Sequence, residues 1–243
     1  FEPKFKAKGA LVVDNSSAWR MNKDIPLVVP EANPEALENH NGIIANPNCS
    51  TIQVMPILKV LHEKYGLKRV IYSTYQAVAG SGQKGIDDLE ANLKGESSKG
   101  YPHQIAFNLI PHIDAFLDNG YTKEEIKMIE ETRKILGIPN LKVTATCVRV
   151  PVKMGHAVSI NVELENSFKL EDVIKAFEEK EGVIVRDDVK NNIYPMPIEA
   201  EDTDEVYVGR IRRDESIDNG LNLWVVADNI RKGAATNTIQ IAE

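Results

Sequence analysis

Ile43-Ile44-Ala45-Asn46-Pro47-Asn48-Cys49-Ser50-Thr51 is the stretch that decides the fold. Its apolar start predicts a short buried strand. The Asn-Pro-Asn that follows predicts a turn, because proline restricts its own backbone and that of the residue before it. From Cys49 onward, apolar residues recur at helical spacing up to Gly66. This pattern predicts a helix that Asn48 caps, with its apolar face formed by Ile52, Met55, Leu58 and Leu61.

Cys49 falls in the first turn of this predicted helix. The free N–H groups and the positive end of the helix dipole stabilise a thiolate there, so the position suits a nucleophile. Free cysteines are also among the most buried residues of globular proteins. The sequence by itself therefore leaves open that Cys49 is a small apolar residue of the core.

The composition narrows the class of protein. The 243 residues can form one large domain or two small ones, and 42% hydrophobic with 27% charged residues is typical of a globular protein. The net charge of −7, with no basic stripe, argues against a nucleic-acid partner. No apolar stretch approaches the roughly 18 residues of a membrane span, and the N-terminus lacks a signal-peptide pattern. We expect a cytoplasmic protein with no membrane partner.

Neither the cysteines nor the acidic residues indicate disulfides or a metal site. Cys49 and Cys147 do not resemble a disulfide pattern, which favours a reducing compartment. The acidic run at 199–205 lacks the spacing of a calcium loop, and we expect no metal site. The chain also starts without methionine and reaches a strand almost at once, so we expect it to be part of a longer protein.

The order of the predicted elements indicates a mixed α/β and α+β fold. Short strands at 10–13, 27–29 and 43–45 alternate with helical or polar segments, which predicts parallel βα units. After Cys49, strands and helices are interspersed, and the turn at Asn219-Gly220 joins antiparallel strands. These features predict a domain built on a mixed sheet over residues 48–227. Residues 1–47 and the last helix, 228–243, are expected to be the remnant of a separate α/β domain.

Several polar residues are candidates for a site, each with an ordinary structural alternative. Arg20 follows a strand at the sheet edge where α/β proteins bind ligands, or is a solvated charge. His156 starts a strand and could be a general base for a cysteine, or a structural histidine. Glu124 and Lys127 are three residues apart on a helix opened by a capping box at Thr122, which favours a solvated surface pair.

The glycines of Gly80-x-Gly82-x-x-Gly85 match the dinucleotide-binding fingerprint only by letter. They come several residues after the strand that ends near Tyr75, and no acidic residue follows about twenty positions later. The sequence here favours a glycine turn at which a ligand approaches the backbone.

Five separated stretches together resemble the aspartate-semialdehyde dehydrogenase family, in its order and over essentially the whole chain. These stretches are 12–17 (VVDNSS), 46–51 (NPNCST), 73–78 (STYQAV), 145–151 (ATCVRVP) and 224–229 (WVVADN). The resemblance implies reduction of L-aspartyl phosphate by NADPH to aspartate semialdehyde and phosphate, in the biosynthesis of lysine, threonine, methionine and isoleucine. It also implies a Rossmann-like NADP-binding domain and a mixed-sheet catalytic domain that forms a homodimer or a tetramer.

The resemblance carries roles over to individual residues. Cys49 matches the nucleophile that forms a thioester, His156 the acid/base residue and Gln76 the residue that positions the intermediate. The substrate-binding group matches Arg149 for the carboxylate, Glu124 for the amino group, and Arg20, Asn48 and Lys127 for the phosphate. Ala79, Gly80 and Asn229 match positions beside the cofactor, although relatives often carry Ser where this chain has Ala79.

The family's glycine-rich nucleotide-binding motif is not in this chain, and its final helix runs past Glu243. We therefore expect these residues alone to bind NADP poorly, which calorimetry would test. Three other functions stay open: an N-acetyl-glutamyl-phosphate reductase, a cysteine hydrolase or acyltransferase, and a non-catalytic dimerisation domain with a buried Cys49.

Overall fold

The fold of residues 2–243 is described by a computed structural model. Its helices are α1 Glu2–Lys6, α2 Cys49–Tyr65, α3 Gln83–Leu93, α4 Lys123–Leu136, α5 Leu170–Glu178, α6 Pro197–Ala200 and α7 Asn237–Ala242. Its strands are β1 Val12–Asp14, β2 Ile43–Ala45, β3 Leu67–Gln76, β4 Lys142–Arg149, β5 His156–Leu164, β6 Val183–Val185, β7 Val206–Asp214 and β8 Gly220–Ala227. The mixed α/β architecture predicted from the sequence is confirmed.

Six strands form one mixed sheet in the order β4-β3-β5-β8-β7-β6. The outer pairs β3–β4 and β6–β7 are parallel, whereas the inner pairs β3–β5, β5–β8 and β7–β8 are antiparallel. Helices α2, α4 and α5 contribute buried side chains to the same hydrophobic core as the sheet, among them Met55, Met128 and Phe177. The sheet therefore has one face covered by helices.

The ends of four strands bring polar residues to one edge of this sheet. Because β3 and β4 are parallel, their last residues Gln76 and Arg149 are paired. His156, the first residue of the antiparallel strand β5, pairs with Ala227 at the end of β8, two residues before Asn229. The sheet register thus places Gln76, Arg149, His156 and Asn229 at one edge.

Over residues 50–58, helix α2 is buried on all sides rather than on one face. Every residue from Ser50 to Leu58 is buried, including the polar Thr51 and Gln53. The predicted start and end are confirmed, since Asn48 caps the helix and Gly66 follows it with φ 72°. The apolar periodicity predicted the helix, but it did not predict that its polar residues Thr51 and Gln53 are also buried.

Strands β1 and β2 form a separate parallel pair, in register from Val12↔Ile43 to Asp14↔Ala45. The predicted strand at 27–29 is wrong, because only an isolated bridge joins Leu27 to Ala45. Pro26 and Pro30 flank this segment, and proline has no N–H to extend a ladder.

The C-terminal segment starts with a π-helix at Arg231–Thr236 that leads into α7. The buried ammonium of Lys232 lies 2.6 Å from the carboxylate of Glu31 and ties this segment to the N-terminal part of the chain. The π-helix also brings Gly233 against the start of α2, where a Cβ added to Gly233 would lie 3.0 Å from the Cβ of Cys49. Any larger residue at 233 would press on Cys49.

Candidate active site

The Asn-Pro-Asn turn presents Cys49 at the start of α2. The Oδ1 of Asn48 accepts a hydrogen bond from the N–H of Ser50 at 2.9 Å, which is the predicted cap. Asn48 is buried, whereas Cys49 is half-buried and lines a cavity of about 330 Å³. The turn therefore directs the thiol into an enclosed polar space.

This cavity collects most of the residues singled out from the sequence. Its walls include Cys49, Arg20, Asn48, Gln76, Gly80, Glu124, Lys127 and Arg149, together with Ser17, Ile113 and Asp114. A neighbouring cavity of about 420 Å³ shares Gly80, Arg149, Ile113 and Asp114 with it. The two form one cleft along the edge of the sheet.

Glu124 is buried in the wall of the cavity, where it binds three polar side chains, and it does not belong to a solvated surface pair. Only 5% of the residue is exposed. Its Oε1 accepts hydrogen bonds from Asn48 Nδ2 at 2.9 Å and from Gln76 Nε2 at 3.1 Å, and its Oε2 lies 3.2 Å from Lys127 Nζ. The prediction of a surface pair, made from helical spacing alone, is wrong. The irregular segment before α4 and the Asn46–Asn48 turn (the nucleophile turn, which precedes Cys49) cover this side of the helix.

Lys127 contacts a second carboxylate, that of Asp114, at 2.8 Å. Asp114 has φ 68°, a left-handed conformation that is uncommon outside glycine, and belongs to the long irregular segment before α4. Both acidic partners favour the protonated form of Lys127. Although partial burial opposes it, the pKa of the ammonium is raised by Glu124 and Asp114. Lys127 therefore remains a cation in the cavity at neutral pH.

Arg20 has its guanidinium fixed by three partners. Its Nε donates to the carbonyl of Asn46 at 2.9 Å, its Nη2 to the carbonyl of Asn15 at 3.0 Å, and its Nη1 to Glu131 at 3.1 Å. The side chain is buried and yet lines the cavity. The solvated alternative for Arg20 is therefore excluded, and its charge faces the cavity in a fixed orientation.

Arg149 and His156 leave room for nothing but glycine at position 80. A Cβ there would lie 2.9 Å from Arg149 Nη1 and 3.2 Å from His156 Nε2. The predicted turn is present as a 3₁₀ helix, Val78–Ser81. Gly80 is therefore explained by these two approaching side chains. Arg149 Nη1 donates to the carbonyl of Ala77 at 2.7 Å, and its buried Nε has no partner among residues 2–243.

His156 is fully buried and is held in one tautomer. Its Nδ1 accepts a hydrogen bond from the N–H of Ala77 at 3.0 Å. Burial, and then the charge of Arg149, lower the pKa of His156 well below its usual value of 6.5, so the ring is neutral at pH 7. A neutral imidazole whose Nδ1 accepts carries its proton on Nε2. The free Nε2–H is thus a donor, whereas the sequence suggested a general base.

Cys49 is a thiol in this state of the protein. Burial, and then the charge of Glu124, raise its pKa to about 11, although Arg149 and Arg20 lower it. The sequence predicted that the helix start would stabilise a thiolate. The dipole acts there, but loss of water and a buried carboxylate outweigh it.

The raised pKa predicts how Cys49 reacts with an alkylating agent. We expect the rate of iodoacetamide alkylation of Cys49 to rise about tenfold per pH unit from pH 7, with no plateau below pH 10, because only the thiolate reacts. Glu124→Gln removes a nearby negative charge and should lower this pKa, giving faster alkylation at pH 8. Peptide mapping by mass spectrometry measures both rates.

Cys147 is the internal control for this measurement. It lies on β4 with its side chain buried in the core, and burial raises the pKa of its thiol as well. It should stay unmodified while the protein is folded. Equal alkylation of the two cysteines, or a plateau for Cys49 near pH 8, would contradict the assignment of a protonated thiol in the cavity.

Comparison of this chain with known proteins identifies its family. Residues 58–232 match the model of the semialdehyde dehydrogenase dimerisation domain, and residues 1–40 match that of the semialdehyde dehydrogenase NAD-binding domain. An aspartate-semialdehyde dehydrogenase of Aquifex aeolicus is 56% identical, over 99% of this chain and 74% of that protein. The chain belongs to the aspartate-semialdehyde dehydrogenase family. It is therefore an oxidoreductase.

Other aspartate-semialdehyde dehydrogenases show the same similarity. The Bacillus subtilis protein is 47% identical over 99% of this chain and 74% of its own length. A crystal structure of aspartate semialdehyde dehydrogenase II of Vibrio cholerae, complexed with ASA, superposes with a TM-score of 0.94 at 47% identity, covering 99% of this chain and 73% of that one. The Candida albicans enzyme, solved with NADP, has a TM-score of 0.78 at 30% identity and covers 99% and 72%.

A nicotinamide cofactor is implied for this dehydrogenase, and two of the three predicted residues fit one. Gly80 lines the cavity beside Cys49. Asn229 is buried, its Oδ1 accepts from the N–H of Gly155 at 3.0 Å, and its Nδ2 has no partner within the described part of the chain. Ala79 fits less well, since it is 97% buried by its neighbours and its N–H donates to the carbonyl of Lys153.

Two residues of the dehydrogenase's cavity region escaped the sequence reasoning, Asp114 and Glu131. Asp114 lies in a segment without periodicity, so no pattern pointed to it. Glu131 follows Glu124 and Lys127 at positions i+7 and i+4 of α4, and therefore shares their helix face. That spacing could have found it once Glu124 had been assigned to a site.

Residues 2–243 of the dehydrogenase contain neither a cluster of metal ligands nor a membrane-spanning helix. No group of three or more His, Cys, Asp and Glu side chains in this range could hold a metal ion. No helix in the same range is both long and apolar enough to cross a membrane.

Proposed function

We propose that the enzyme converts L-aspartyl 4-phosphate and NADPH into L-aspartate 4-semialdehyde, phosphate and NADP, through a thioester on Cys49. The single observation that carries this proposal is the cavity in which Cys49 faces three cationic side chains and one buried carboxylate, namely Arg20, Lys127, Arg149 and Glu124. An acyl phosphate bearing a carboxylate and an ammonium group matches these charges one by one.

Each end of the substrate has a partner in the proposal. Arg149 binds the α-carboxylate, since its Nε has no partner in residues 2–243 and the guanidinium can present two parallel N–H groups. Glu124 binds the α-ammonium. Arg20, Asn48 and Lys127 bind the phosphate, and Gln76, hydrogen-bonded to Glu124, positions the acyl group.

The first step forms the thioester. The Cys49 thiol gives its proton to a phosphate oxygen of the substrate and its sulfur attacks the acyl carbon. An S–C bond forms, the C–O bond to phosphate breaks with its electron pair leaving on phosphate, and the phosphate departs carrying the proton. Arg20 and Lys127 offset the charge of the departing phosphate. Pairing of the substrate ammonium with Glu124 also offsets the carboxylate charge that disfavours the Cys49 thiolate.

The second step releases the semialdehyde. NADPH, when bound, supplies the hydride that reduces the thioester. His156 donates its Nε2–H to the acyl oxygen as that oxygen becomes negatively charged. When the C=O bond reforms, the C–S bond breaks and Cys49 leaves as a thiolate. This direction needs no proton from His156, which agrees with a neutral ring that only donates a hydrogen bond.

The proposal extends to the cofactor site, the assembly and the pathway. Ala79, Gly80 and Asn229 belong to the NADP site in the proposal, and the protein is a homodimer or a tetramer. Residues 1–47 and 228–243 belong to the dinucleotide-binding domain and 48–227 to the catalytic and dimerisation domain. The reaction serves lysine, diaminopimelate, threonine, methionine and isoleucine synthesis in the cytoplasm. A monomer by sedimentation would contradict the assembly.

The reverse reaction tests the proposed substrate. The full-length enzyme should sustain multiple turnovers of NADP reduction with L-aspartate semialdehyde only when phosphate is present, measured by absorbance of NADPH. N-acetyl-glutamate semialdehyde lacks the ammonium that Glu124 would bind, and should react at least about a hundredfold more slowly. Faster turnover of the N-acetyl substrate would favour the related reductase, and phosphate-independent turnover would contradict the thioester route.

A further inference from the structure

We propose that Glu131 is a positioning residue of this active site, whose carboxylate fixes the phosphate-binding Arg20 and the nucleophile turn in one arrangement. Only 1% of Glu131 is exposed. Its Oε1 lies 3.1 Å from Arg20 Nη1, and its Oε2 accepts a hydrogen bond from the N–H of Asn48 at 2.7 Å. Glu131 does not line the cavity, so it acts on the cavity through the residues that it holds.

The contacts around Glu131 form a closed triangle between separate parts of the chain. Arg20 follows β1, the Asn46–Asn48 turn follows β2, and Glu131 lies on α4. Arg20 Nε also donates to the carbonyl of Asn46 at 2.9 Å, so the arginine and the turn are bonded directly as well as through Glu131. Loss of the first bond to Glu131 would leave Arg20 Nη1 without this acceptor. Loss of the second would leave the N–H of Asn48, the residue before Cys49, without a partner.

Burial makes this arrangement specific to a carboxylate. Both oxygens of Glu131 are used, each by a different element, and both accept. A glutamine has only one acceptor oxygen, so its NH₂ group would face either the Arg20 guanidinium or the Asn48 N–H, donor against donor. An amide therefore has nearly the same shape but cannot hold both partners.

One face of helix α4 thus carries three charged residues, each with a different role. Glu124 and Lys127 reach into the cavity, and Glu131, one turn further, anchors the cavity wall from behind. Because Arg20 and Asn48 are both assigned to phosphate in the proposed function, on which this inference rests, loss of Glu131 should weaken phosphate binding more than binding of the semialdehyde.

The test compares Glu131→Gln with Glu130→Gln in the full-length enzyme. Glu130 is the adjacent helix residue, is partly exposed, and pairs with Arg133. Glu131→Gln should raise KM for phosphate at least tenfold and change KM for L-aspartate semialdehyde less than threefold, whereas Glu130→Gln should leave both unchanged. A loss of kcat alone, with both KM values unchanged, would mean that Glu131 only stabilises the fold and would overturn the inference.

A double variant keeps the test decisive if Glu131→Gln folds poorly. Arg20→Gln with Glu131→Gln removes both buried charges, and the second change should raise the KM for phosphate by a smaller factor than Glu131→Gln does in the unmodified enzyme, because the part of its effect that runs through Arg20 is already lost. An equal or larger factor in the double variant would show that Glu131 acts independently of Arg20, against the inference. If the unmodified enzyme itself reacts without phosphate, the proposed function fails, whereas phosphate-dependent turnover that Glu131→Gln leaves unchanged refutes only the role of Glu131.

Discussion

Cys49→Ala is expected to abolish phosphate-dependent reduction of NADP by L-aspartate semialdehyde, lowering kcat/KM by about 10⁴-fold or more. Among residues 2–243, no other residue that lines the cavity can form a thioester, because Cys147 lies on β4 with its side chain in the core. The alanine keeps the Cβ that packs against Gly233, so the nucleophile turn should be preserved. Initial-rate kinetics with the full-length enzyme measure the loss.

Cys147→Ala is the matched control for this prediction. It removes the other sulfur and leaves a small space in the core, so it should lower thermal stability while kcat/KM stays within a few-fold of the unmodified enzyme. Phosphate-dependent turnover that survives in Cys49→Ala, or that is lost equally in Cys147→Ala, would remove Cys49 from its assigned role.

His156→Asn is expected to lower kcat by about 10²- to 10³-fold, the usual effect of losing one donor to a developing oxyanion. The imidazole is neutral and its Nδ1 accepts from Ala77, so the group that faces Arg149 and Gly80 is Nε2–H. Asparagine has no donor at the distance of Nε2. Glutamine can place its NH₂ group near that point, and His156→Gln should therefore recover part of the lost activity.

The comparison of these two variants separates a donor from a base. Neither amide can take up a proton at neutral pH, so a general-base role predicts that Gln and Asn are equally damaging. The kcat values over pH 6 to 9 measure this. Equal losses in both variants would contradict the donor assignment and restore the base expected from the sequence.

Local sequence signals predicted the elements that carry the site. The strand at Ile43–Ala45, the cap by Asn48 and the start of α2 at Cys49 depend on neighbouring residues, and so does the capping box of Thr122 and Glu125. The resemblance to the family then predicted which polar residues meet. Arg20, Asn48, Gln76, Glu124, Lys127 and Arg149 do line one cavity with Cys49.

What the sequence could not predict depends on distant contacts. The bond from Asn48 to Glu131 spans 83 positions, so no local pattern links the two residues. The burial of Glu124 and of every side of α2 is likewise set by other elements that pack against them. The protonation states of Cys49 and His156 follow from that burial, which is why the helix start alone suggested a thiolate and an unassigned histidine suggested a base.

The thioester on Cys49 can be observed directly. The full-length enzyme, incubated with L-aspartate semialdehyde and NADP without phosphate and then quenched in acid, should carry an aspartyl group on the peptide that contains Cys49. Addition of phosphate before the quench should remove it, because phosphate attacks the thioester. Mass spectrometry that finds no adduct, an adduct on Cys147, or an adduct on Cys49 that persists with phosphate would contradict the proposed reaction.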